Sequence, residues 1–350
     1  MPPNFRYAKI YVAVRVDCAL PQEEMLPGDE GITVIAGGED FVTPPLYKRI
    51  AAKKWRCRII DFATSLSVQD GRRASYAWLI GPDAEVVFAD PLSLSCDMGL
   101  FGDAEAIINL SNIFSSLDYE AFPAEGLRRN VYVTLELMES ASKAGVGRFI
   151  HFSSGVVYGP RREQPLPEII PPDAVDLQAA FNVAAESIVS SYSQRGKMET
   201  VILRLFNAYG PGQSSEAIVP YIIRGALSGK PFPMGNTNHT RDFLYIDDMV
   251  DGIMLALQKP EASGKVLNLA SGVETQIKSI INLIEELTGQ DIEVNFDPER
   301  IRINRPDFPR WVADITAARE VLGFSPRCGL KDGLVRTIES IKRPEGRMKG

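Results

Sequence analysis

The chain has 350 residues, of which 45% are hydrophobic, and a formal net charge of −7 at neutral pH. A chain of this length can bury a large core, either as one domain or as two closely joined domains. Its acidic balance, with no concentrated basic face, excludes a nonspecific nucleic-acid-binding protein.

The sequence contains no segment that is typical of membrane insertion. Its apolar runs are shorter than the roughly 20 residues that span a bilayer. Lys9, Arg15 and Asp17 interrupt the apolar residues near the N-terminus, which argues against a signal peptide. The four cysteines lie far apart without CxxC spacing. This pattern favours reduced thiols, a cytoplasmic location and no metal site.

The first half of the chain alternates strands and helices. Residues 1–31 form an N-terminal extension, in which 9–16 alternate as a strand does. In the first strand–helix–strand unit, Thr43 is the expected N-cap and Pro44 the first helical residue. The expected strands are 32–38, 56–62, 83–90, 104–111 and 148–153, and the expected helices are 43–55 and 130–144.

The second half continues this alternation. Apolar residues from Leu177 to Val189 recur at helical spacing, and a second amphipathic helix ends at Gly289. The other expected elements are a strand at 199–206, a Gly/Pro loop at 207–213, helices at 216–228, 313–324 and 330–342, a strand end and helix at 241–257, and a strand at 265–272.

This order of elements predicts an α/β protein built on a doubly wound parallel sheet. Right-handed crossovers place the C-terminal ends of the strands on one edge, where ligands bind. We expect three parts: the extension at 1–31, a nucleotide-binding domain at 32–212 that also receives 242–258, and a smaller C-terminal lobe at 213–241 and 259–345.

Four motifs occur in a characteristic order and spacing. They are VYG at 157–159 after a strand ending in Ser153-Ser154, LRLFNAYGPGQ at 203–213, TRDFLYIDD at 240–248 and RPDFPRWVADITAAREVLGFSP at 305–326. Together they resemble the extended short-chain dehydrogenase/reductase family, specifically its sugar-nucleotide epimerases and dehydratases. The resemblance extends from Ile32 to Ile341. It implies a Rossmann-like sheet, a substrate-binding C-terminal lobe and a nucleoside diphosphate sugar as the small-molecule partner.

The resemblance also implies a set of substrate-binding residues. Asn207 lies where the family contacts the diphosphate region, and Arg241 and Arg305 lie where it binds the phosphates. Guanidinium groups suit this role because they form charge-assisted, often bidentate hydrogen bonds with phosphate oxygens. His239, two residues before Arg241, is a further candidate for substrate contact. The alternative is that each arginine pairs with a nearby aspartate on the surface.

The resemblance implies NAD or NADP as cofactor, but the glycine turn after the first strand is altered. Gly37 holds the first glycine position, whereas Asp40 and Thr43 replace the second and third. The second glycine lets the backbone approach the pyrophosphate, and the third lets helix and strand pack closely. Asp61 ends the second strand, where the family uses an acid to hold the adenosine ribose, and Asp90 follows the third strand. The alternative is that each aspartate caps the end of its strand. These changes favour loss of the cofactor.

The catalytic pattern is altered as well. In the family a Ser or Thr, a Tyr and a Lys four residues later move the proton. Ser154 matches the hydroxyl position, but Gln178 and Asn182 occupy the Tyr and Lys positions. Amides cannot act as acid or base. Tyr158 and Glu186 are the groups nearest to these positions that can exchange protons, so they remain as catalytic candidates. In the family, however, the residue at the position of Tyr158 is structural.

Three hypotheses remain open. The chain is an active NAD(P)-dependent sugar-nucleotide enzyme with rebuilt catalytic groups, a non-redox isomerase, or a catalytically silent regulator or scaffold. We predict a protein that binds a nucleoside diphosphate sugar in the biosynthesis of activated sugars, polysaccharide or glycosylated metabolites. The resemblance also implies a homodimer, or a heteromer with a homologous subunit, through a contact that includes the helix at 177–194. His151, on a central strand, is expected to be a core histidine.

Overall fold

The computed structural model describes residues 31–37, 41–62, 81, 84–91, 94, 98–112, 119–196, 198–297 and 309–343. The strand expected at 9–16 lies outside these residues. The strands of the described part are β1 (Ile32–Ala36), β2 (Arg56–Asp61), β3 (Glu85–Phe88), β4 (Ala104–Asn109), β5 (Arg148–Ser154), β6 (Glu199–Leu205), β7 (Asn207–Tyr209), β8 (Phe232–Met234), β9 (Thr240–Tyr245), β10 (Lys265–Leu269), β11 (Glu274–Gln276) and β12 (Val294–Phe296).

The helices alternate with these strands. They are α1 (Thr43–Ala52), α2 (Pro123–Leu127), α3 (Val133–Ala144), α4 (Leu177–Ser193), α5 (Ile218–Ser228), α6 (Ile246–Gln258), α7 (Ile277–Thr288), α8 (Thr316–Leu322) and α9 (Leu330–Lys342). A π-helical turn, Arg128–Tyr132, joins α2 to α3. Within the described residues, no helix is both long enough and apolar enough to cross a membrane.

Seven of the described strands form one sheet in the order β10-β6-β5-β4-β1-β2-β3, and every pair in it is parallel. The chain runs outward from β1 to β3 and then returns to β4 on the other side of β1. This reversal creates a topological switch point at the C-terminal ends of β1 and β4, which is where ligands bind in doubly wound sheets. The predicted fold class is therefore confirmed.

The described strands outside the large sheet belong to a smaller lobe. In it β9 pairs with β7 and β11, and β8 pairs with β12. One expected domain assignment is wrong, because β10, which falls in the stretch assigned to the lobe, pairs with β6 as the edge strand of the large sheet. Its residues are apolar enough to be buried there between helices. Sequence periodicity alone does not reveal which sheet such a strand joins.

Two helix starts also differ from expectation. Val42, not Thr43, is the N-cap residue of α1, and Thr43 is already helical and buried. The helix expected to start at residue 130 is preceded directly by α2 and the π-helical turn, so the helical stretch starts at Pro123. Gly126 is in α2, where a Cβ would lie 2.6 Å from the Tyr119 ring. Gly289, with φ +66°, ends α7 as predicted.

Candidate functional site at the C-terminal edge of the large sheet

Ser154 lies at the C-terminal end of β5, where the sequence predicts a hydroxyl. β5 is fixed on both sides by pairing with β4 and β6. Ser154 Oγ accepts a hydrogen bond from the backbone N–H of Val156 at 3.3 Å, which starts a tight turn. Gly155 is required in this turn, because a Cβ there would lie 2.9 Å from the Phe206 ring. The half-buried hydroxyl is thus held at the edge of the sheet.

The two positions of the expected proton relay lie on the first turns of α4. Asp176 is the N-cap residue of this helix, and its Oδ1 accepts from the Ala179 N–H at 2.8 Å. Asn182 is only 2% exposed, and its Nδ2 donates to the Gln178 carbonyl at 2.8 Å. Its Oδ1 accepts from Asn112 Nδ2 at 3.2 Å. Both amide atoms of Asn182 are therefore bonded within the protein.

Glu186, one turn further along α4, forms a buried ion pair. Arg204 on β6 donates to it through Nε at 2.9 Å and Nη2 at 2.8 Å. The hydroxyl of Ser153 donates to the same carboxylate at 2.5 Å. Both carboxylate oxygens are engaged by groups of the large sheet, and this geometry supports a structural role for Glu186 over a catalytic one.

Tyr158 is fully buried, and its hydroxyl donates to Asn268 Oδ1 at 2.8 Å. The guanidinium carbon of Arg204 lies 4.7 Å from the centre of its ring. Burial raises the pKa of the Tyr158 phenol despite the nearby Arg204 charge. A protonated phenol that donates to an amide within the core supports the structural role over the catalytic one.

His151 is the expected core histidine. It is fully buried on β5, and its Nδ1 lies 3.2 Å from Asn109 Nδ2. Burial lowers the pKa of His151 to about 3, so the imidazole is neutral at physiological pH. It belongs to the packing between β4 and β5 and has no part in proton exchange at the edge.

Asn207 and Arg241 lie on two paired strands at the start of the lobe. Asn207 is on β7, which pairs with β9, and its Nδ2 donates to the Asp242 carbonyl at 3.2 Å. The Asp242 carboxylate is buried and accepts from the backbone N–H groups of Ser271 and Gly272 at 2.7 and 2.9 Å. Backbone donors thus supply hydrogen bonds to the Asp242 carboxylate. Adjacent residues of a strand point to opposite faces, so Arg241 points away from Asp242.

Arg241 is half-buried beside an aromatic wall. Its Nη1 donates to the Thr240 carbonyl at 2.8 Å, and its guanidinium carbon lies 5.8 Å from the centre of the Trp311 ring. Trp311 in turn packs against Phe206, with ring centres 5.7 Å apart. His239 lies two residues before Arg241, and its Nε2 is 3.0 Å from Asn236 Nδ2. Arg305 lies outside the described residues.

The segment 309–314 connects the smaller lobe to the part of the chain that contains the large sheet. Val312 N–H donates to Gln164 Oε1 at 2.9 Å, and Arg310 forms two 2.7 Å hydrogen bonds with Glu274. The hydrogen bonds from Arg310 hold the pKa of Glu274 at about 2, so this clamp stays charged at physiological pH. The sequence analysis did not single out Arg310 or Trp311, although both stand within the motif that it quoted.

The residues expected at the cofactor side lie at the ends of neighbouring strands. Gly37 follows β1 with φ +102°, and a Cβ there would lie 2.6 Å from Ser111 N, so glycine is required. Asp61 ends β2 and is fully buried, whereas Asp90 follows β3 and is exposed. Asp40 lies outside the described residues.

The first turn of α1 has few donors for an anion. Helix N-termini bind phosphate through N–H groups that lack an intrahelical partner. Pro44 and Pro45 have no N–H, and the N–H of Leu46 is bonded to the Val42 carbonyl at 3.1 Å. The start of α1 therefore lacks much of the N–H surface on which a pyrophosphate would lie.

Asn112 is a site residue that the sequence analysis missed. It follows β4 by three residues, and its Nδ2 donates to both the Phe152 carbonyl and Asn182. The signal was the polar cluster Asn109, Ser111 and Asn112 directly after an apolar strand, because strand ends on one edge bring such side chains together.

Known proteins of similar sequence and structure act on sugar nucleotides. A sequence model of the NAD dependent epimerase/dehydratase family matches residues 33–270. The UDP-glucose 4-epimerase of Mycolicibacterium smegmatis is 31% identical over 267 residues, which are 74% of this chain and 82% of that protein. The UDP-glucuronic acid decarboxylase 5 of Arabidopsis thaliana is 29% identical over 321 residues, 88% of this chain and 89% of that protein.

Among solved structures, the UDP-glucuronic acid 4-epimerase from Bacillus cereus, in complex with UDP-glucuronic acid and NAD, is similar over most of its length. The TM-score is 0.77 at 25% identity, and the match covers 89% of this chain and 99% of that one. The similarity therefore includes both the large sheet and the lobe.

The Glu186–Arg204 pair yields a prediction about stability. Glu186→Gln leaves the buried Arg204 without its counter-ion, and we expect it to lower the free energy of unfolding by about 3–5 kcal/mol. Urea denaturation followed by circular dichroism measures this loss. Glu286→Gln is the matched control, because the Lys331–Glu286 pair is exposed and such pairs contribute at most about 1 kcal/mol. Equal losses for the two variants would contradict a structural role for Glu186.

Proposed function

Because the chain belongs to the NAD dependent epimerase/dehydratase family, we propose that it binds a nucleoside diphosphate sugar in the biosynthesis of activated sugars, polysaccharide or glycosylated metabolites. Similar proteins are named for acting on UDP-glucose and UDP-glucuronic acid, which supports this substrate class. We place the protein in the cytoplasm. Cys57 and Cys328 are free thiols, and free thiols persist in a reducing compartment.

The observation that carries this proposal is the position of Arg241. It is on β9, which pairs with the strand of Asn207, and it lies against Trp311, while its neighbour Asp242 is bonded to backbone donors. A diphosphate has dispersed negative charge that a guanidinium group matches with paired hydrogen bonds. Arg305, which the family resemblance assigns to the same phosphates, completes the proposed site.

We also propose that the usual hydride chemistry is lost. A nicotinamide cofactor in an active relative supplies the hydride acceptor, and a Tyr–Lys pair moves the proton. The residues of this chain do not fit that group: two prolines remove N–H donors at the start of α1, and Asn182 has both amide atoms bonded within the protein. Ser154 retains a hydroxyl but has no base among the hydrogen-bond partners described for it.

The proposed phosphate contact gives a second prediction. A sugar nucleotide at 100 times its dissociation constant raises the free energy of unfolding by about 2.7 kcal/mol, which a melting-temperature measurement detects. We expect one of a panel of UDP-, dTDP-, GDP- and CDP-sugars to raise the melting temperature, and Arg241→Ala to remove that rise. Arg224→Ala, an exposed arginine on α5, is the control and should retain it. No rise with any sugar nucleotide would contradict the proposal.

The same assay separates the other possibilities. A rise with NAD or NADP would overturn the loss of hydride chemistry and favour an active cofactor-dependent enzyme. A rise with a sugar nucleotide, together with turnover but without cofactor, would identify a non-redox isomerase. A rise without turnover would identify a silent regulator or scaffold subunit.

We propose a second copy of the chain as the protein partner. Large apolar side chains are exposed along α2, the π-turn and α3, namely Phe122, Leu127, Tyr132 and Leu135. This stretch packs against α4 through the hydrogen bond from the Tyr192 hydroxyl to Glu139. Exposed apolar side chains close together in a chain favour a protein contact, and α4 is the helix expected to take part.

Leu127→Glu tests this contact. Leu127 is 48% exposed and Leu227, on α5, is 37% exposed, so Leu227→Glu is a matched control. We expect size-exclusion chromatography with light scattering to give a dimer for the wild type and the control, and a monomer for Leu127→Glu, because a buried carboxylate opposes association. A monomeric wild type at micromolar concentration would contradict a homodimer and favour a homologous subunit as the partner.

A further inference from the structure

The loop that follows β4 is attached to β5 by a side-chain amide. The β4–β5 ladder ends at the pair Asn109–His151. Beyond that pair, Asn112 Nδ2 donates to the backbone carbonyl of Phe152 and, at 3.2 Å, to Oδ1 of Asn182. One amide group therefore extends the sheet by a further hydrogen bond and joins it to α4.

Asn182 completes this connection from the helix side. Its side chain is 2% exposed, and its Nδ2 donates to the Gln178 carbonyl at 2.8 Å. We define the amide clasp as Asn112 and Asn182 together with the Phe152 and Gln178 carbonyls to which they donate. Every bond in the clasp joins two groups of this chain, so none of these hydrogen bonds needs a ligand atom.

A second hydrogen-bond network anchors the same loop from the other side. Asn109 Oδ1 accepts from the Ser111 N–H at 3.0 Å and from its hydroxyl at 2.6 Å, and Asn109 Nδ2 lies 3.1 Å from Thr134 Oγ1. The Ser111 backbone also fits closely against Gly37 at the end of β1. The loop after β4 is thus attached to β1, to β5, to α4 and to the start of α3.

We propose that the amide clasp takes the place of a cofactor in holding this edge together, so that the chain keeps its native structure there without a nicotinamide dinucleotide. A dinucleotide in a doubly wound sheet lies across the C-terminal ends of the strands at the switch point, here β1 and β4. The family resemblance puts a lysine at position 182, whereas this chain has a neutral amide with both atoms bonded inside the protein.

Asn182 has no charge to offer a cofactor, and turning its amide away from Asn112 and Gln178 would break partly buried hydrogen bonds. Opening the clasp would break the partly buried hydrogen bond between Asn112 Nδ2 and Asn182 Oδ1. Buried polar groups without a hydrogen-bond partner cost free energy, so opening is unfavourable. The inference rests on the proposed loss of the cofactor but not on phosphate binding at Arg241, because it concerns the β1–β4 end of the edge and not the lobe.

Hydrogen exchange measured by mass spectrometry tests the clasp in the ligand-free full-length protein. We expect Asn182→Ala to speed exchange about tenfold in peptides that cover 148–158 and 177–186, because loss of the clasp favours local opening. Peptides from α7 (Ile277–Thr288) should not change. The control is Asn295→Ala, an exposed asparagine on β12, which should leave both regions unchanged. Millimolar NAD or NADP should not slow exchange in the wild type.

Two results would overturn the proposal. One is unchanged exchange at 148–158 in a folded Asn182→Ala, and the other is slower exchange or a higher melting temperature of the wild type with NAD or NADP. Asn112→Ala repeats the test if Asn182→Ala does not fold, and the cofactor measurement on the wild type decides if neither folds. Failure of sugar-nucleotide binding would leave these results unaffected, so the two proposals fail separately.

Discussion

The buried ion pair between Glu186 and Arg204 determines how the C-terminal edge of the large sheet, where its strands end, is held together. The two side chains are 8% and 5% exposed, and they join α4 to β6 while Ser153 adds β5. The Tyr158 ring lies over the guanidinium group and its hydroxyl is bonded to Asn268 on β10. A buried charge needs its partner and well-aligned hydrogen bonds. The ends of three neighbouring strands and one helix are therefore fixed relative to each other.

This edge has two chemically different halves. On the lobe side, Arg241 and Trp311 combine a positive charge with an aromatic wall, which suits an anionic nucleotide sugar. On the side of the switch point, amides are bonded to one another and to the main chain, and two prolines begin α1. This contrast is the basis of our proposal that the protein retains the substrate half of its family's site and that the cofactor half serves the structure.

The periodicity of the chain was enough to predict the large sheet, because buried parallel strands and amphipathic helices leave strong local patterns. It was less reliable where local and tertiary preferences differ. The helix expected from residue 130 is preceded by a further helix at Pro123–Leu127, in which Gly126 packs closely against Tyr119. β10 was placed in the lobe because the sequence does not tell which sheet an apolar strand joins.

By itself, the sequence determined which chemical groups stand at the positions of the proton relay. A glutamine and an asparagine cannot exchange protons in any fold, since this is a property of the side chain. Only the tertiary structure decided what these groups do. Asn112 and Asn182 are 70 residues apart, and Tyr158 and Asn268 are 110 apart. Such partners are brought together by packing of the whole sheet, and no local pattern in the chain encodes which of them will meet.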